Sequence, residues 1–164
     1  MTSLAEISSV SPQGDPLGFL IVDAARLMRT AFEQRIADAG LGLTAGEARA
    51  LIHIADFEGN RQLDIASRMG VEPMTLCAYL DKLQALGLIE RHKCSADRRA
   101  KRISLTAASD ALLRQIRTEF GEIVEQATSG MPQMDRQNLA ALLSKLNKNL
   151  QASLPPSPGP NETR

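Results

Sequence analysis

Between Arg91 and Arg102 the chain carries six basic residues, Arg91, Lys93, Arg98, Arg99, Lys101 and Arg102, against one acid, Asp97. Six cations less one anion leave a local charge of +5 in a chain of zero net charge, so the remainder sums to −5. Cations focused on one short segment form an electrostatic footprint for a polyanion, and duplex DNA is the polyanion it fits best. The same residues also fit a solvated loop that keeps its charge for solubility.

The other chemistry-bearing residues are sparse. Two cysteines, Cys77 and Cys94, and two histidines, His53 and His92, supply neither a disulfide framework nor a zinc pattern, so no metal and no cofactor is expected. There is no glycine-rich phosphate loop, no nucleophile elbow and no pair of histidines with carboxylates at metal spacing, which argues against an enzyme. Cys94 stands beside Lys93 and close to several arginines. Positive neighbours lower a thiol pKa and raise its thiolate fraction, which makes Cys94, and Cys77 after it, candidate redox residues.

The elements that must position these groups are mostly helices. The 164 residues are 43% hydrophobic but only 3% aromatic, and Leu and Ala dominate, which favours packed helices over β-sandwiches. No apolar run is long enough to span a bilayer and no signal peptide is recognisable, so a cytoplasmic protein without a membrane partner is expected.

Residues 1–16 read as a flexible arm. Leu17, Leu20, Ile21, Ala24, Leu27, Met28, Ala31, Phe32 and Ile36 then recur at helical spacing, and Gly40 ends that helix. Thr44 and Glu47 have capping-box spacing, so a second helix starts at Ala45 and runs to about Phe57. A short helix over Gln62–Met69 ends at Gly70, and a further helix extends to about Leu86 with Leu76, Leu80 and Leu83 inward. Two helices joined at a glycine form a helix-turn-helix pattern. Residues 88–91 and 102–105 read as two strands of a hairpin, or wing. Thr106 and Asp135 are the expected caps of two long apolar-striped helices, the first stopped by Gly130-Met131-Pro132. The proline-rich segment 155–164 reads as a disordered tail.

A helix-turn-helix followed directly by a basic hairpin is a winged helix. Around it stand Leu43-Thr44-Ala45-Gly46-Glu47, Ile65-Ala66, Leu80-Asp81-Lys82-Leu83, Gly87-Leu88-Ile89-Glu90-Arg91 and the run from Asp97 to Thr106. In order and spacing these resemble the MarR family of bacterial transcriptional regulators over roughly residues 17–150. The fold expected is mainly α: a winged helix-turn-helix with a two-stranded wing over residues 44–106, flanked by dimerisation helices over 17–43 and 107–154.

The resemblance implies a homodimer whose winged helices each read half of a pseudo-palindrome in double-stranded DNA, most commonly as a repressor. Thr75, Ala78 and Lys82, with Cys77 to one side, lie opposite the Leu76/Leu80/Leu83 stripe and would enter the major groove. Thr75 can bond a phosphate or a base edge, and Lys82 fits a phosphate. Ala78 departs from the family, which often carries arginine there; its methyl can instead meet a thymine methyl. By family resemblance Asp97 braces the hairpin and Arg99 enters a minor groove, leaving Arg98 and Lys101 as phosphate contacts and Arg61 and Arg68 as weaker ones. The family also implies a small aromatic or anionic effector between the dimer body and the winged helix, with Met28, Phe32, Arg49 and His53 as its expected lining. Two alternatives stand beside this reading: a winged-helix dimer acting through a protein partner, and a thiol-based redox-sensing regulator using Cys94 or Cys77.

Overall fold

The computed structural model describes residues 16–57, 61–93 and 101–154, and the side chains of Lys93 and Lys101 are not among its described features. Six helices and one hairpin follow in the order α1 (Pro16–Ala39), α2 (Ala45–Asp56), α3 (Gln62–Met69), α4 (Pro73–Ala85), β1 (Ile89–Lys93), β2 (Lys101–Leu105), α5 (Ser109–Ala127) and α6 (Gln133–Ser153). The first helix starts at Pro16, one residue earlier than the periodicity suggests; proline at a first helical position needs no N–H partner.

Local rules account for the entry into the winged helix. The Thr44 hydroxyl accepts from the Glu47 backbone N–H at 3.3 Å while the Glu47 carboxylate accepts from the Thr44 N–H at 2.8 Å, so both free donors are satisfied at the head of α2. Gly70 ends α3 with φ 64° and ψ 38°, a left-handed conformation that turns the chain tightly into Pro73, the first residue of α4.

Two expected caps are corrected. Thr106 does not cap α5, which begins at Ser109 with Ala108 in front of it; the Thr106 hydroxyl instead donates to the Gly87 carbonyl at 2.6 Å. That bond ties the exit of β2 to the turn after α4, and Thr106 N–H donates to Leu88 as well. Asp135 does not cap α6 either. The helix starts two residues before it, after Pro132, and Asp135 sits in the first turn, where its charge favours the helix dipole.

The wing is antiparallel, with Ile89 opposite Leu105, Arg91 opposite Ile103 and Lys93 opposite Lys101. A third chain segment joins it: Arg61, just before α3, forms an antiparallel bridge with Arg102. The hydrophobic core collects Leu51 and Ile54 from α2, Ile65 and Met69 from α3, Leu76, Leu80 and Leu83 from α4, Ile89 and Ile103 from the wing, and Ile116 from α5. Phe32 and Ile36 bring the C-terminal half of α1 into the same cluster. The N-terminal half of α1 is different, with Leu17, Phe19, Leu20 and Val22 all exposed, and α6 has no buried residue. Among the described residues, no helix is long and apolar enough to cross a membrane.

Candidate nucleic-acid interface and effector cavity

The second helix of the motif, α4, buries Leu76, Leu80 and Leu83 completely and thereby fixes its opposite face outward. Met74, Thr75, Ala78, Asp81 and Lys82 are exposed on it. Cys77 lies at the flank, half-buried, with its sulfur 2.6 Å from the Gln62 side-chain nitrogen, which draws α3 and α4 together. The candidate groove residues Thr75, Ala78 and Lys82 therefore share one solvent face, while Cys77 turns toward α3.

Arg91 corrects the reading of the basic segment as free charge. Strand alternation puts Arg91 on the face of Ile89 and Ile103, which packs under α4, while Glu90 and His92 point the other way. Its side chain is only 14% exposed, and the guanidinium contacts the Asp81 carboxylate at 2.6 Å and reaches the Cys77 carbonyl at 3.4 Å. One of the six cations is thus spent inside the fold, pinning the recognition helix to the wing. Strand parity is the sequence signal that turns Arg91 inward; its partner Asp81 is set by the packing of α4 on the wing. His92 is exposed, with its ring 2.9 Å from the Ser104 hydroxyl on the outer face.

Arg102 and Arg61 are exposed where the third segment meets the hairpin. Arg68 lies over the Phe57 ring, 3.9 Å from its centroid, which holds its cation by the aromatic face. Cys94, Asp97, Arg98 and Arg99 lie outside the described residues, as does the Lys101 side chain.

A second site lies away from this face. Met28 and Phe32 of α1, Arg49, Ile52 and His53 of α2 and Phe120 of α5 surround a cavity of about 290 Å³, with Ala25 and Arg29 completing its wall. All four residues expected to line an effector site from their place on the first two helices thus face one space. Ala25, Arg29, Ile52 and Phe120 are the lining residues that the sequence reading did not name. Phe120 comes from a helix nearly ninety positions from Phe32, which its ring meets edge-to-face at 6.0 Å between centroids.

The cavity is cationic, with its polar groups partly withdrawn from solvent. Burial lowers the pKa of Arg49, with Arg29 adding to the effect. Burial likewise lowers that of His53, helped by the charge of Arg49. Arg49 also donates to the Met69 carbonyl at 3.0 Å, so the cavity wall touches the last residue of α3. His53 stacks on Phe57 at 6.4 Å between centroids, and Phe57 in turn carries Arg68. Among the described residues no three His, Cys, Asp or Glu side chains converge as a metal site.

Comparison with known proteins agrees with this architecture. The MarR family model matches residues 41–100, from the loop before α2 into the wing. A MarR transcriptional regulator from Methanosarcina mazei Go1 superposes with a TM-score of 0.74 at 20% identity, covering 84% of this chain and 98% of that one. The transcriptional regulator PA3341 does so with a TM-score of 0.70 at 28% identity, over 83% and 98% of the two chains. BpsR of Bordetella bronchiseptica, whose DNA binding is described as regulated by 6-hydroxynicotinic acid, gives 0.67 at 23% identity over 81% and 99%. The chain is thus similar to MarR-family transcriptional regulators: the family model matches its winged-helix segment, and the solved structures share its fold.

Proposed function

We propose that this protein is a ligand-responsive repressor that binds a pseudo-palindromic operator as a homodimer and is released by a small aromatic anion. The observation that carries the ligand response is the cavity between α1, α2 and α5. Phe32, Phe120, Met28 and Ile52 offer apolar and aromatic walls, while Arg29 and Arg49 offer positive charge and His53 a ring nitrogen. A carboxylate on an aromatic ring satisfies both, because a desolvated guanidinium gains most from a charge-assisted bond. BpsR, with its hydroxynicotinic acid, supports the same ligand class. Arg49 gives such a ligand a mechanical handle, since the guanidinium that would bind it also holds the end of α3.

The homodimer is supported by the exposed apolar residues of α6 and of the N-terminal half of α1, among them Leu142, Leu150, Phe19 and Val22. Thr75, Ala78 and Lys82 enter the major groove, Arg98 and Lys101 contact phosphates, and Arg99 enters the minor groove, with Asp97 bracing the wing. Arg61 joins the phosphate contacts; Arg68 is partly occupied by Phe57.

Footprinting on the DNA upstream of the protein's own gene, at two salt concentrations, tests this reading. A two-fold-related site of about two helical turns should be protected. If the dimer neutralises about eight phosphates, log K falls with log[salt] at a slope near −7, from ~0.9 per phosphate. Arg99→Ala should weaken binding by about 1–3 kcal/mol, the scale of one base-edge contact. Benzoate, but not neutral benzamide, should then release the site; equal effects of the two would remove the anionic-ligand reading.

A further inference from the structure

Over its first two turns the recognition helix offers almost nothing that reads a base by charge. From Pro73 to Asp81 it carries no Arg, Lys, Asn or Gln. Its one acid in that stretch, Asp81, is bound to Arg91. Lys82 is the only basic residue of the helix and lies beyond the N-terminal turns that reach base edges in helix-turn-helix proteins. The side chains that pair bidentately with guanine or adenine are therefore absent from its first two turns.

What the face does offer is apolar. Met74 is 85% exposed, more than any other large hydrophobic residue described, and contributes nothing to the core. It lies four positions before Ala78, so the two side chains are neighbours along one stripe of the helix, with the Thr75 hydroxyl beside them. The major groove has one apolar feature of its own, the C5 methyl of thymine. An unbranched, polarisable thioether can settle against such a methyl without a fixed pocket.

We propose that Met74, together with Ala78, is the specificity-determining element of the recognition helix and reads thymine methyl groups in each half-site. The inference rests on the operator-binding reading above and adds to it a base and the group on that base. Thr75 supplies the polar contact that sets the register, and the two apolar side chains exclude water from the thymine edge.

The experiment replaces thymine by deoxyuridine, which removes the methyl and leaves every hydrogen-bonding group in place. A duplex selected by the full-length protein from a random pool is substituted position by position, and affinity is read by fluorescence anisotropy at one salt concentration. Substitution at the Met74 position of one half-site should weaken binding about fourfold, the equivalent of ~0.8 kcal/mol for one buried methyl. Met74→Ala should bind the thymine duplex more weakly and lose the deoxyuridine penalty, while Met74→Leu keeps both. An unchanged melting temperature in both variants shows that the fold is intact. Indifference to deoxyuridine at every position, or a full penalty in Met74→Ala, overturns the proposal while operator binding stands. Failure to enrich any duplex overturns the operator reading and this proposal with it.

Discussion

Tyr79 on the recognition helix rests its ring on Gly46 of α2, so close that a Cβ at position 46 would stand 2.5 Å from the Tyr79 hydroxyl oxygen and closer still to Cζ. The glycine is there because the ring needs its space, and the contact sets how near α4 can lie to α2. Gly46→Ala improves helix propensity but forces the ring outward. The expected result is a net loss of about 1–3 kcal/mol, the range of overpacking, in chemical denaturation. Adding Tyr79→Leu to that variant should recover part of the loss, and no recovery would put the strain elsewhere.

The Thr44–Glu47 capping box starts the same helix. Thr44→Ala should cost about 1 kcal/mol, whereas Thr44→Ser, which keeps the acceptor oxygen, should cost little. Equal losses in the two would assign the effect to the threonine methyl rather than the cap.

Asp81 lies on the exposed side of α4 that also carries Ala78 and Lys82, and it is paired there with Arg91. Asp81 is mostly exposed, so its pairing contributes little to stability, up to about 1 kcal/mol. The larger effect is on DNA. Arg91→Ala leaves a bare carboxylate facing phosphates and should weaken operator binding more than the Asp81→Ala, Arg91→Ala double variant does. Anisotropy titrations of both at the same salt concentration check this; a double variant that binds no more tightly than Arg91→Ala alone would mean that the unpaired Asp81 carboxylate is not what weakens binding.

His53 makes stability pH-dependent with a defined sign. Its pKa in the fold is lowered by burial and by Arg49, so on acidification the unfolded chain takes up this proton first. Stability from this group is present above the unfolded value of about 6.5 and is lost as pH falls below it, toward the depressed folded value. His53→Gln should flatten the fall in melting temperature between neutral pH and about pH 5. An anion in the cavity would raise the His53 pKa, so benzoate should bind more tightly as pH falls through the same window.

Leu139, Leu142, Leu143 and Leu150 of α6 are all exposed in one chain, and a 21-residue helix with no buried side chain draws little support from its own subunit. Leu142→Glu should therefore halve the mass in light scattering and abolish operator binding. A dimer of unchanged mass would place the subunit contact elsewhere, with the exposed N-terminal half of α1 the next candidate.

Much of this was legible in the residue order, because the determinants are local. Helix periodicity, the Thr44–Glu47 box, the turn at Gly70 and the alternation of the hairpin each depend on residues within about four positions. They were enough to outline the winged helix and to put Thr75, Ala78 and Lys82 on one face. Thr106 and Asp135 show where local rules fail: both have cap chemistry, but the chain before α5 turns to bond Gly87 and α6 begins from Pro132. Gly46 beneath Tyr79, Gln62 beside Cys77, Arg91 on Asp81, the Arg61–Arg102 bridge and Phe120 closing the cavity were decided only in three dimensions. Each joins residues ten to ninety positions apart, and which side chains meet at that range follows from how helices settle on a shared core rather than from any pattern along the chain.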